Sequence, residues 1–144
     1  MANEVVTVAD ALARLSEGLS TNQKQSIGSF HEFVIDIWSQ SFERPELFDT
    51  WHVGVITEDA ERALADNKNY VAILPRFHFK STLLGHAFSV WRLLKATRDM
   101  SILYLSYSDT MARYHISEIN KTVQRNPILM DMLTARNSRA EFQF

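Results

Sequence analysis

One stretch constrains this chain more than any other: Val71-Ala72-Ile73-Leu74-Pro75-Arg76-Phe77-His78-Phe79-Lys80-Ser81-Thr82. It reads as a short buried strand from Tyr70 to Leu74, a tight cationic loop, and Lys-Ser-Thr opening a helix. A helix start presents N–H groups without helical acceptors, together with partial positive charge. A lysine there adds a full charge, and a hydroxyl one residue on can ligate Mg²⁺. The residues thus fit a loop that holds a nucleotide phosphate. They fit equally a plain strand-to-helix turn whose lysine faces water. The usual loop pattern places glycine at the positions held here by Leu74 and Phe79. Backbone in the left-handed region costs a side-chain-bearing residue roughly 1–2 kcal/mol.

The surroundings predict how the loop is carried. Before it, apolar spacing predicts helices over about 7–18, 22–42 and 47–66. Ile27, Phe30, Phe33, Val34, Ile37, Trp38 and Phe42 mark the inner face of the second, and Trp51, Val55, Ala60 and Leu64 that of the third. After the loop, Leu83, Leu84, Ala87, Phe88, Trp91 and Leu94 predict a helix to about Ala96. Ser101–Tyr107 predicts a second strand. Ser108 or Asp109 caps a helix with Ala112, Ile116, Ile119 and Val123 on one face. Asn126-Pro127 starts a short helix over Ile128–Leu133, and Ala140–Phe144 opens a third strand. Strands alternating with helices predict an α/β fold. Its core is an incomplete parallel sheet of the P-loop NTPase type, preceded by N-terminal helices. The organisation expected is a helical segment over 1–46 and a partial ATPase domain over 47–144.

Charge adds one clue. Net charge is only −2, yet residues 1–74 hold 5 Lys/Arg against 12 Asp/Glu, and residues 75–144 hold 10 against 5. The basic half begins at the loop, which suits an anionic ligand or is ordinary surface charge. There is no cysteine, which excludes disulfides and cysteine-based zinc sites. The first residues lack the pattern of a signal peptide. No run approaches the roughly 18 apolar residues of a membrane span.

Pro75-Arg76-x-His78-x-Lys80-Ser81-Thr82 resembles the phosphate loop of the large terminase subunits of phages, the ATPases that drive DNA into capsids. In that family the loop often reads Pro-Arg-Gly-His-Gly-Lys-Ser, so Phe77 and Phe79 stand where glycines are usual. Trp51-His52 ahead of the loop is similar to the family too, as are Ser101–Ser108, Ala112 and Asn126-Pro127 after it. The likeness runs from about Phe48 to Asp131.

The resemblance implies ATP and Mg²⁺ as ligands. Lys80 would contact the β- and γ-phosphates, Ser81 would ligate Mg²⁺, and Thr82 would support the helix start. Arg76 would face the γ-phosphate, and the backbone from Pro75 through Phe77, His78 and Phe79 would wrap the phosphates. It also implies double-stranded DNA, a portal protein and a small terminase subunit as partners, a ring of copies, and the host cytoplasm as the setting.

The acidic half of such a site is an apolar strand ending in Asp-Glu. No such run occurs here; Asp131 follows Ile-Leu-Met but at helical spacing. The family's acidic strand and nuclease domain would lie beyond Phe144, so hydrolysis by this stretch alone is not expected. Two other readings stay open. One is a non-enzymatic helical interaction module with a relic loop. The other is a different P-loop NTPase, such as a helicase relative.

Overall fold

The computed structural model describes residues 28–96 and 100–136. The predicted helix over 7–18, the start of the second helix and the strand over Ala140–Phe144 lie outside them.

The first described helix, α1 (residues 30–41), changes its winding twice. It runs as an α-turn over Phe30–Glu32, a π-turn over Phe33–Ile37 and a 3₁₀ turn over Trp38–Ser41. At the change, the Trp38 N–H reaches both the Phe33 and Val34 carbonyls. Phe30, Phe33, Val34, Ile37 and Trp38 are all fully buried, as their spacing predicts. Pro45 then opens a 3₁₀ turn, Pro45–Phe48, that drives Phe48 into the core.

Helix α2 (Trp51–Ala65) begins about one turn later than predicted, after the 3₁₀ turn, and of its predicted face only Ala60 is buried. Val53, Ile56, Thr57 and Ala60 are buried, whereas Trp51 is 82% exposed and Val55 and Leu64 face outward. Both stripes have helical spacing. The choice turns on Thr57, whose hydroxyl donates to the Val53 carbonyl (2.8 Å) and lies 3.0 Å from His31 Nδ1. A polar residue satisfied in this way can be buried at little cost.

Helix α3 (residues 81–95) begins as a π-turn, Ser81–Ala87, and continues as an α-helix, Phe88–Lys95. It buries Leu83, Ala87, Val90 and Trp91 in the middle of the core. Phe30 packs its ring edge-on against Phe88 at 5.1 Å and tilted against Trp91 at 5.2 Å. At its end Lys95 donates to the Gly28 carbonyl (2.6 Å) and lies over the Trp91 ring. Glu61 of α2 accepts from the Phe30 N–H (2.9 Å), so α1, α2 and α3 meet at this corner.

Helix α4 (Asp109–Gln124) is capped by Ser108, whose hydroxyl accepts from the Met111 N–H. Helix α5 (Pro127–Arg136) starts at Asn126, which is buried. Its Oδ1 accepts from the Ile128 and Leu129 N–H groups, and its Nδ2 donates to the Ile37 carbonyl and the Ser41 hydroxyl. This one side chain caps α5 and also takes up a carbonyl released where α1 tightens.

The expected parallel sheet is not present. Among the described residues there are helices and turns but no strand. Residues 71–75 and 101–106 have no regular secondary structure and join no ladder among the described residues. An apolar run becomes a strand only when a neighbour takes up its backbone groups, and here helices alone fill the core. The inner sides of the two runs rest on that core through Tyr70, Leu74 and Tyr104. Their outer sides are bare: Val71 is 78% exposed, Ile73 92%, Leu103 80%, Leu105 79% and Tyr107 88%. No described helix is long and apolar enough to cross a membrane.

Candidate phosphate-binding loop

The loop Pro75–Lys80 joins the first extended run to α3. Three described residues other than glycine have positive φ, and two are in this loop: Phe77 at 67° and Phe79 at 53°. The third, Asn67 at 53°, belongs to the turn after α2, where asparagine is at ease. Phe77 and Phe79 are also the two positions where the resembled loop carries glycine.

The two phenylalanines are held differently. The Phe79 ring stacks on Phe48 at 4.7 Å with 28° between planes, and Phe48 is buried. Core packing therefore imposes the left-handed backbone at Phe79 and offsets its cost. Phe77 is 97% exposed at the loop tip. Lys80 follows in right-handed backbone (φ −49°, ψ −54°). A left-handed residue followed by a right-handed one turns successive N–H groups to the same side, forming a nest for an anion.

The helix start supplies the rest. The Leu83 N–H reaches back to the Phe79 carbonyl at 2.7 Å, and no side chain caps the helix. Lys80 Nζ bends across the loop to 3.4 Å from the Leu74 carbonyl, a long contact that leaves the ammonium over the loop's inner side. Ser81 is exposed and Thr82 half-buried, while Arg76 and Lys80 are exposed. His78 Nδ1 donates to the Arg76 carbonyl at 2.9 Å, which closes the turn.

Behind the loop, the His78 ring meets His52 edge-on at 5.4 Å, and His52 meets Trp51 at 5.9 Å. His52 Nε2 and Thr50 Oγ1 are buried without a hydrogen-bond partner. The Trp51-His52 pair singled out from the sequence thus abuts the loop through His52. Asp131 lies exposed on α5, in keeping with its helical spacing. All of Pro75, Arg76, Phe77, His78, Phe79, Lys80, Ser81 and Thr82 lie on one turn and one helix start, anchored by Phe79 and His78. The described residues form no group of three or more His, Cys, Asp or Glu able to hold a metal.

A second polar cluster, which sequence reading missed, sits further along α3. His86 Nε2 lies 3.0 Å from His115 Nδ1 of α4, and the Tyr104 ring lies 5.3 Å from that of His115. A β-carbon added at Gly85 would stand 2.7 Å from the Tyr104 hydroxyl, so glycine there lets Tyr104 close on the helix. The 5.2 Å between the two imidazole centroids means that the nitrogens point at one another, sharing a proton in a hydrogen bond. Burial, with the His115 charge second, holds His86 down at about 4. Burial also raises the Tyr104 phenol. The two histidines lie 29 residues apart, so no local spacing in the sequence announces them.

No family model, no curated protein and no solved structure matches this chain.

Proposed function

We propose that Pro75–Thr82 binds the triphosphate of Mg²⁺-bound ATP, as part of the ATPase region of a phage DNA-packaging terminase. The observation that carries this reading is the backbone at Phe77 and Phe79. The two places that are glycine in the resembled loop are left-handed here, although a side chain opposes it.

The residues divide the work. N–H groups of the loop and of the start of α3 receive phosphate oxygens. Lys80 neutralises the outer phosphates once its ammonium leaves the Leu74 carbonyl, and Arg76 approaches the γ-phosphate from the loop's first turn. Ser81 offers its hydroxyl to Mg²⁺. The loop is braced by the Phe79–Phe48 stack and by α3. The chain's part is binding, because no apolar run ends in Asp-Glu to supply the acidic half of a hydrolytic site. Double-stranded DNA, the portal, the small subunit, a ring of copies and the host cytoplasm belong to the same proposal.

Calorimetric titration of the chain with Mg-ATP tests it. Weak binding that Lys80→Ala lowers about tenfold or more is expected, since a hydrogen bond to a charged group is worth roughly 1.5–3 kcal/mol. Absence of heat with a folded chain, or equal binding by Lys80→Ala, would remove the reading.

A further inference from the structure

Single exposed apolar side chains are ordinary on a protein surface. Here they are serial. Leu103, Leu105 and Tyr107 project outward at every second residue, while Tyr104 between them turns inward against Gly85 and His115. Val71 and Ile73 repeat the pattern, with Tyr70 and Leu74 resting on the core. The first run is therefore held on one side by Tyr70 and Leu74 and the second by Tyr104, each leaves apolar side chains bare, and neither backbone joins a ladder among the described residues. Such a main chain is a template for strand addition.

We infer that a second copy of this chain covers the run over 102–107. This segment pairs antiparallel with its own counterpart about a two-fold axis. Leu103, Leu105 and Tyr107 are buried in the pair. Two observations favour a like partner. Residues 100–108 and 69–75 contain no charged side chain, so identical segments meet without repulsion, and the chain's net charge is only −2. The area also fits. At about 25 cal/mol/Å², burial of an aliphatic side chain corresponds to roughly 60–120 Å², and a tyrosine to roughly 150–250 Å². Leu103, Leu105 and Tyr107 together then offer roughly 270–490 Å² of apolar surface, on the same per-residue basis. A standard interface takes about 800 Å² from each partner, a little over half of it apolar. A self-complementary patch closes at two copies. The inference does not depend on nucleotide binding.

Light scattering on the eluting full chain, with infrared spectra at the same concentrations, tests it. The mass should rise from one copy towards two between about 1 and about 100 µM, with an intermolecular-strand amide band growing in step. Leu105→Lys, outward-facing and hence folding normally by circular dichroism, should weaken pairing about tenfold or more. Val55→Lys, on the outer side of α2, should leave it unchanged. A chain that stays monomeric throughout would overturn the inference, as would a dimer indifferent to Leu105→Lys. Association without the strand band would overturn it equally.

Discussion

Phe77 and Phe79 share a backbone conformation but not a neighbourhood, so one substitution should act oppositely at the two sites. Glycine at Phe77 removes a left-handed strain of roughly 1–2 kcal/mol. It adds roughly 0.5–1 kcal/mol of unfolded-chain entropy. At 97% exposure the ring has almost no packing to lose. Phe77→Gly should therefore stabilise the chain by about 0.5–1 kcal/mol, from these two effects. Phe79→Gly gains the same relief but loses the stack on Phe48. Deleting a fully buried phenylalanine costs roughly 3–5 kcal/mol, and Phe79 is half-buried, so about half of that applies. The net effect at Phe79 is a loss of about 1–1.5 kcal/mol, by the same balance. Urea unfolding followed by far-UV circular dichroism and by fluorescence of the buried Trp38 and Trp91 reads both. Shifts in the same direction would refute the claim that packing enforces the backbone at Phe79 alone.

Other outcomes follow from the same geometry. His86 is neutral when folded, held at about 4 against an ordinary 6.5. Its contribution is complete above about pH 6.5 and is lost as pH falls towards 4. That amounts to on the order of 3 kcal/mol, and His86→Gln should flatten the pH dependence of the urea midpoint. Asn126→Ala should cost about 3 kcal/mol in the same assay, because it removes a cap and strands the Ile37 carbonyl. Phe77→Gly should retain Mg-ATP binding by calorimetry, since glycine accepts the left-handed backbone while Lys80 and the Phe79–Phe48 stack stay in place. Its failure to bind while still folded would argue that the side chain at the loop tip itself shapes the site.

The helices were legible because their signals are local. Phe30 through Trp38 recur at steps that match only a helix, Ser108 announces a cap, and Asn126-Pro127 announces a start. The loop was legible as well: Lys80-Ser81 after an apolar run places it at the end of one element and the start of the next. What failed was everything that depends on a neighbour far along the chain. Trp51 and Val55 have spacing as good as that of Val53 and Ile56, and the stripe that turns inward is the one that joins the core with α1, where Thr57 also meets His31. Val71–Leu74 and Ser101–Tyr107 have strand composition. Composition cannot supply the ladder, and helices took the core instead. The left-handed backbone at Phe79 was a cost from the sequence, and its compensation by Phe48 became visible only in three dimensions.

The bond from Asn126 to the Ile37 carbonyl spans 89 residues. Helices α1 to α4 can each begin from their own sequence, but the Ile37 carbonyl of α1 lacks this partner until Asn126 exists. On a ribosome, at roughly 5–20 residues per second, that wait lasts about 5–20 s. During it the Ile37 carbonyl and the Ser41 hydroxyl are without their bonds from Asn126. Closure of the core thus joins residues far apart along the chain, and its rate should follow contact order more than helix propensity.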